Sequence, residues 1–207
     1  MLVISLWIPL KNLLKKQKEF KEKSLKLTRF SRNYTLFKNT LLSTEKKNFE
    51  STNPLTLGNK EAKLHIAVVT SPYCGHCKEA HEILYKIAIK HPENVKVSIF
   101  YNTPIGKEED RNQLFRSLVS IYQTEGQECY SQAVKELYET KDYNKYKELK
   151  IENPDKIDEI INGQAHSCFE NKIHFTPAIF INGYEYPKMY ERKELAFFIP
   201  DLIDDEF

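Results

Sequence analysis

Two cysteines separated by two residues, Cys74-Gly75-His76-Cys77, follow an apolar segment at residues 64–70 and precede a helical pattern at residues 79–90. At the start of a helix, unpaired backbone N–H groups and the positive end of the helix dipole stabilise a thiolate. A cysteine in that position has a lowered pKa and is nucleophilic near neutral pH. The pattern therefore predicts a dithiol/disulfide switch, with Cys74 as the nucleophile and Cys77 as the resolving thiol.

Composition limits the other functional classes. The chain has 207 residues with 41% hydrophobic and 29% charged residues, which is enough for one domain with appendages. The net charge of +2 does not by itself decide for or against nucleic acid. The Tyr- and Lys-rich residues 138–150 are interpreted as helix surface, so we predict no nucleic-acid partner.

Four cysteines are too few for a fold built on disulfides. Cys129 and Cys168 lie far from the dithiol and from each other in the sequence. We interpret them as two small buried side chains. The alternative is a structural disulfide between them, which would persist only in an oxidising compartment.

The first 52 residues differ from the rest. Residues 1–10 are apolar but too short to span a bilayer, and they are interpreted as an anchor with Trp7 at the headgroup level or as the end of a truncated membrane helix. A frayed amphipathic terminus is the alternative. Residues 11–52 alternate basic and apolar positions and predict a basic helical linker, lying either on anionic lipid or in solvent.

The remaining residues, 53–207, predict one α/β domain. Two strands joined by a helix form a right-handed βαβ unit with parallel strands. A strand-free region at about 107–171 has helical periodicity and predicts an insertion of three or four helices. The predicted strands cover residues 55–58, 64–70, 95–101 and 178–181, the last forming a hairpin with 184–186 around Asn182-Gly183, before a final helix from about Arg192 that contains Pro200.

Two motifs resemble those of thioredoxin-like proteins: residues 71–78 around the dithiol, and Phe175-Thr176-Pro177-Ala178 immediately before a strand. The opening at residues 57–62, the helical insertion and the ending at residues 176–183 resemble the DsbA-like branch. More narrowly, the chain resembles the thioredoxin-like domain fused to membrane-embedded vitamin K epoxide reductase homologues in bacteria. The resemblance covers residues 53–207.

This resemblance implies roles for three substrate-binding residues. Pro177 would be the cis-proline that faces the dithiol, and Thr176 would pair its backbone with an extended substrate. Tyr73, next to Cys74, is the third predicted substrate-binding residue.

One position departs from the thioredoxin pattern. Thioredoxins keep a buried carboxylate in the strand beneath the dithiol, and the matching residue here is Val68. Glu79 and Glu82 would be poor substitutes because the helical pattern places them on an exposed face.

The predicted activity is thiol-disulfide exchange without a cofactor, acting on protein thiols and disulfides. An imidazole at His76 can donate to the Cys74 thiolate, which stabilises the reduced form and makes the disulfide more oxidising. An oxidant or isomerase is therefore favoured over a reductase, with a vitamin K epoxide reductase-like membrane protein as a possible partner. Oxidising chemistry predicts a periplasmic, membrane-attached or membrane-proximal location, although the basic segment points towards the cytoplasm.

Two alternatives remain open from the residues. One is a redox-inactive binding or anchoring module, and the other is a zinc site that uses the Cys-x-x-Cys motif. No second pair of ligands has zinc-binding spacing, so we predict no metal. The available residues would be Cys129, Cys168, His81, His166 and His174, while His65, His81 and His91 are interpreted as ordinary surface or core residues.

Overall fold

The computed structural model of the chain describes residues 2–49, 53–104 and 110–205. It divides into two compact units, one ending at Asn39 and the other beginning at Thr40. The predictions for residues 50–52, in the linker, and for residues 105–109, where the insertion begins, lie outside the described residues.

Two helices occupy most of the basic N-terminal region: α1 (Leu2–Ser31) and α2 (Tyr34–Leu42). In the predicted anchor at residues 1–10, Trp7 and Leu10 are the side chains described, and both are exposed. No helix within the described ranges has both the length and the apolar character needed to cross a membrane.

Helix α2 ends well before residue 52, and residues 43–49 are not helical. This segment runs beside the hairpin instead: Lys46 forms a β-bridge with Tyr184, and the Lys47 N–H donates to the Gly183 carbonyl at 2.8 Å. Tertiary hydrogen bonds to the sheet therefore end the helix that the basic pattern predicts.

A five-stranded mixed sheet in the order β1-β3-β2-β4-β5 forms the centre of the second unit. Strands β2 and β3 are parallel and are joined by helix α3, while the other pairs are antiparallel. This confirms the predicted α/β fold with its βαβ unit. The elements are β1 (Leu55–Gly58), β2 (Leu64–Thr70), α3 (Cys77–Lys90), β3 (Val95–Tyr101), β4 (Ala178–Ile181) and β5 (Tyr184–Glu185).

The helical insertion contains α4 (Asp110–Thr140), α5 (Tyr143–Lys147) and α6 (Pro154–Glu170). Gly126, with φ of 88°, breaks α4 into two helical segments. Arg116 binds both carboxylate oxygens of Asp158 at 2.6 and 2.7 Å and thereby joins α4 to α6. The buried Gln164 side chain accepts from the Tyr101 N–H and donates to the Asn53 carbonyl, so the insertion is fastened to the end of β3.

The core of the second unit extends upstream of residue 53. The Phe49 ring is buried, with its centroid 5.0 Å from that of Phe100 and 5.1 Å from that of Phe180. The segment before the predicted domain boundary therefore contributes to the core of this unit, and the boundary at residue 53 stays a prediction.

The C-terminal part follows the predicted order. Asn182 and Gly183 have φ of 48° and 91°, the left-handed conformation that an Asn-Gly hairpin turn requires. A Cβ on Gly183 would lie 2.5 Å from the Lys47 carbonyl oxygen, so the approach of the upstream segment also requires glycine here. A 3₁₀ turn at Arg192–Glu194 leads into α7 (Leu195–Asp204), which continues past Pro200.

Candidate active site

The dithiol lies in a tight turn between β2 and α3. The Cys74 N–H donates to the Ser71 carbonyl, and the Cys77 N–H donates to the Cys74 carbonyl, each at 3.0 Å. Cys77 is the first residue of α3 and is fully buried, whereas Cys74 is partly exposed. Both are free thiols. The chain thus offers one accessible and one protected sulfur, as the sequence predicts.

The pKa of the Cys74 thiol is lowered. Partial burial acts in the opposite direction, but the Thr176 side chain, the Cys77 thiol and the backbone N–H groups of Cys77 and His76 all donate to the thiolate. The Cys74 Sγ also lies 3.5 Å from the Thr176 carbonyl oxygen, which can accept from the protonated thiol. The donors outweigh burial, so Cys74 is the more nucleophilic sulfur at neutral pH.

Burial raises the pKa of the Cys77 thiol to about 11. Hydrogen bonds from the Thr70 side chain and the Ser71 backbone oppose this shift, while the neighbouring Cys74 adds to it. At neutral pH Cys77 therefore keeps its proton while Cys74 reacts.

A groove of about 620 Å³ is lined in part by Thr176, whose carbonyl oxygen lies 3.5 Å from Cys74 Sγ. Thr176 and Pro177 lie on its wall, and the peptide bond between them is cis, as the resemblance implies. Two exposed apolar side chains, Phe175 and Met189, line the groove together with the His76 imidazole. Charged side chains, including Glu79 and Arg192, also line the groove, so its surface is partly apolar and partly charged.

A family model described as Thioredoxin matches residues 50–201, which is most of the chain. The chain belongs to the thioredoxin family. No curated relative matches the sequence.

Solved structures share the fold of this thioredoxin-family chain at low sequence identity. A periplasmic thioredoxin-like protein from Salmonella enterica serovar Typhimurium has 19% identity and a TM-score of 0.60, with 82% of this chain and 97% of that chain covered. BdbD from Bacillus subtilis has 13% identity and a TM-score of 0.56, with 78% and 98% covered. DsbA2 from Pseudomonas aeruginosa has 17% identity and a TM-score of 0.56, with 76% and 98% covered. The predicted thioredoxin-like fold is confirmed.

The two remaining predicted site residues, Tyr73 and His76, have different surroundings in the structure. The Tyr73 ring packs on the insertion, 5.9 Å from Phe115 and 5.0 Å from Tyr143 between centroids, so it faces away from the lining of the groove. His76 meets the Cys74 sulfur through its backbone N–H, and its ring is exposed at the groove. The roles of both residues in substrate binding and catalysis stay predictions.

Three polar residues near the dithiol, Thr70, His81 and Tyr138, were given no role in thiol chemistry by the sequence interpretation. Thr70 contacts Cys77, and its hydroxyl oxygen lies 3.2 Å from the Nε2 atom of the half-buried His81. The Tyr138 hydroxyl, from the insertion, donates to the Ser71 carbonyl at 3.1 Å. The four-residue spacing of Cys77 and His81 on one helix face was the available signal. Tyr138 gave none because it is distant in the sequence.

The other two cysteines are free thiols, so the structure contains no disulfide between them. Cys168 is buried, as predicted, and burial raises its thiol pKa to about 12. Cys129 is exposed on α4, which corrects its interpretation as a buried side chain. The helical periodicity of α4 alone did not indicate which of its faces packs on the sheet. Across the described residues, no group of three or more His, Cys, Asp or Glu side chains is placed to hold a metal ion.

Proposed function

We propose that this chain is a thiol-disulfide oxidoreductase that exchanges disulfides with protein substrates through Cys74 and Cys77. The observation that carries the proposal is the pair of opposite shifts: the pKa of Cys74 is lowered, and that of the buried Cys77 is raised to about 11. One sulfur is thereby prepared to attack and the other to resolve the mixed disulfide. The groove beside Cys74 supplies a binding surface for an extended substrate.

The direct test is oxidation of the reduced protein by oxidised glutathione at pH 7. We expect Cys74 and Cys77 to form an internal disulfide through a transient glutathione adduct on Cys74, because Cys74 is the accessible thiolate. Peptide mass spectrometry after acid quenching identifies both species. Adducts on Cys129 alone, with the dithiol still reduced, would contradict the proposal and favour a redox-inactive binding module.

We propose further that the protein oxidises or isomerises substrates in preference to reducing them. The hydrogen bonds to the Cys74 thiolate support this direction because they stabilise the reduced form. An oxidant of this kind functions outside the cytoplasm, and one solved structure of similar fold is a periplasmic protein. We therefore propose an extracytoplasmic location.

Attachment to a membrane is proposed from α1. Its exposed apolar side chains, including Leu13, Phe20 and Leu27, alternate with lysines, a composition that binds anionic lipid surfaces. A vitamin K epoxide reductase-like membrane protein, implied by the sequence resemblance, would then be within reach to reoxidise the dithiol.

Sedimentation with anionic phospholipid vesicles tests this attachment. We expect the full chain to bind, and Phe20→Glu to bind about threefold or more weakly because a charge replaces buried apolar area at the lipid interface. The matched control is Phe169→Glu, a similarly exposed phenylalanine on α6, which should bind like the wild type. Equal binding by both variants, or none by the wild type, contradicts the attachment.

A further inference from the structure

A small polar network lies next to the resolving sulfur. Thr70 ends β2 and is buried, and its hydroxyl is a hydrogen-bond partner of Cys77. The same hydroxyl oxygen lies 3.2 Å from His81 Nε2 and within hydrogen-bonding reach of the Tyr138 hydroxyl. Cys77 and His81, one helical turn apart on α3, therefore meet at a single hydroxyl group.

The direction of the hydrogen bonds distinguishes the two neighbours of Thr70. The Tyr138 hydroxyl donates its proton to the Ser71 carbonyl, so towards Thr70 it can only accept. Burial raises the pKa of Tyr138 further from neutrality, and it lowers the pKa of His81 to about 4. The imidazole is then neutral at pH 7, with one ring nitrogen able to accept a proton and the other able to release one.

A cavity of about 40 Å³ adjoins His81 on the side of α4. It is large enough for a water molecule. The Ser131 hydroxyl oxygen on its wall is buried and has no hydrogen-bond partner among the described residues. His81 thus lies between the Thr70 hydroxyl and a mostly apolar cavity that has the Ser131 hydroxyl on its wall. The titratable and charged groups around His81 are Cys77, Lys78, Glu82 and Tyr85 on α3, and Lys135 and Tyr138 on α4, with Thr70 as the polar contact from β2.

We propose that Thr70 and His81 carry the proton of Cys77 to and from the cavity when Cys77 resolves a mixed disulfide. They would occupy the functional place of the carboxylate that Val68 replaces. Val68 itself lies between Ile99 and Ile179 in the sheet and offers no polar atom. This inference rests on the proposed oxidoreductase function and assigns residues for one step of it.

When the internal disulfide forms, the Cys77 S–H proton passes to the Thr70 oxygen, the Thr70 hydroxyl proton passes to His81 Nε2, and His81 releases its Nδ1 proton to a solvent water molecule that enters the cavity. The electron pair left on the Cys77 sulfur forms the bond to Cys74. The bond between Cys74 and the substrate sulfur breaks, and that sulfur leaves as a thiolate with the bonding electrons. The reverse sequence protonates Cys77 when a substrate thiolate opens the internal disulfide.

The test measures the lifetime of the Cys74–glutathione mixed disulfide after reduced protein is mixed with oxidised glutathione. Acid-quenched samples are analysed by mass spectrometry between pH 7 and pH 10. For His81→Gln and for the isosteric Thr70→Val we expect a lifetime about 10- to 100-fold longer at pH 7, the range of general acid-base assistance. The rate of adduct formation on Cys74 should stay unchanged. The difference in lifetime between each variant and the wild type should narrow steadily towards pH 10, because a growing fraction of Cys77 is ionised without assistance as the pH approaches its pKa of about 11.

His65→Gln is the matched control. His65, on β2, is also half-buried, it contacts the Ser98 hydroxyl at 2.8 Å, and burial lowers its pKa to about 4. It lies five residues before Thr70, roughly 16 Å along the strand. This variant should keep the wild-type lifetime at every pH, whereas loss of a half-buried histidine as such would affect both histidine variants.

Each outcome has a defined meaning. Lifetimes within twofold of His65→Gln for both His81→Gln and Thr70→Val overturn the proton path. If the lifetime of the mixed disulfide is longer in Thr70→Val alone, His81 is not part of the proton path. If circular dichroism shows that one of the two variants does not fold, the lifetime measured in the other variant tests the proton path. A wild-type protein that forms neither adduct nor internal disulfide refutes the oxidoreductase function itself, which separates that failure from a failure of the proton path.

Discussion

Cys74→Ser is expected to lower the rate of disulfide isomerisation in scrambled ribonuclease by about 10³-fold or more, to the rate without protein. Cys74 is the exposed member of the dithiol and the one whose pKa is lowered, so it supplies the attacking thiolate. A serine hydroxyl at the same position cannot form a disulfide with a substrate. Reactivation of scrambled ribonuclease measures the loss of isomerase activity, and reduction of insulin measures the loss of reductase activity.

Cys129→Ser is the control for this experiment. Cys129 is also an exposed free thiol, but it lies on α4 outside the dithiol turn. Its replacement should leave both activities unchanged. Equal activity of Cys74→Ser and the wild type would end the enzymatic interpretation. A loss in Cys129→Ser instead would place the reactive thiol on the insertion.

The reduction potential of the Cys74–Cys77 disulfide is expected near −180 mV, about 90 mV above the value of about −270 mV for thioredoxin. The potential is expected to be higher than that of thioredoxin because the pKa of Cys74 is lowered. Hydrogen-bond donors stabilise the thiolate, which exists only in the reduced form, and this makes the disulfide more oxidising. For a two-electron couple, 90 mV corresponds to about 4 kcal/mol, or roughly 10³-fold in the equilibrium constant. Titration against glutathione buffers measures it, and a value near −270 mV would contradict the proposed direction.

His76→Ala separates two origins of this potential. In the structure the backbone N–H of His76 donates to the Cys74 thiolate, and the variant keeps that N–H. We therefore expect a fall of less than about 30 mV, equivalent to about 1.4 kcal/mol. A fall to the thioredoxin value would assign the oxidising character to the imidazole, as the sequence interpretation does.

The sequence predicts those elements whose determinants are local. The apolar run at residues 64–70, the alternation at residues 95–101 and the turn at Asn182-Gly183 each reflect a burial period or a backbone conformation, and the strands follow them closely. The dithiol and Thr176-Pro177 are equally local motifs. Their juxtaposition could be expected only from the resemblance, because about a hundred residues separate them.

The features that the sequence could not predict depend on contacts between distant segments of the chain. The basic periodicity favours helix to about residue 50, but hydrogen bonds from residues 44–47 to the hairpin end it at Leu42. Helical spacing does not indicate that Cys129 faces solvent while Cys168 is buried. His81 is an ordinary core histidine in the sequence, and it becomes chemically relevant only because Thr70 and Cys77 meet it in space.

The buried Gln164 side chain limits how this protein can be shortened by engineering. It accepts from the Tyr101 backbone at 3.0 Å and donates to the Asn53 backbone at 2.9 Å. A shortened variant with a loop in place of the helices would leave both backbone groups without these partners, at a cost of about 1–3 kcal/mol each where they stay buried. It would also remove the Tyr138 hydroxyl from the dithiol turn. The helical insertion therefore supports the sheet and the dithiol turn, and a shortened protein would have to retain it.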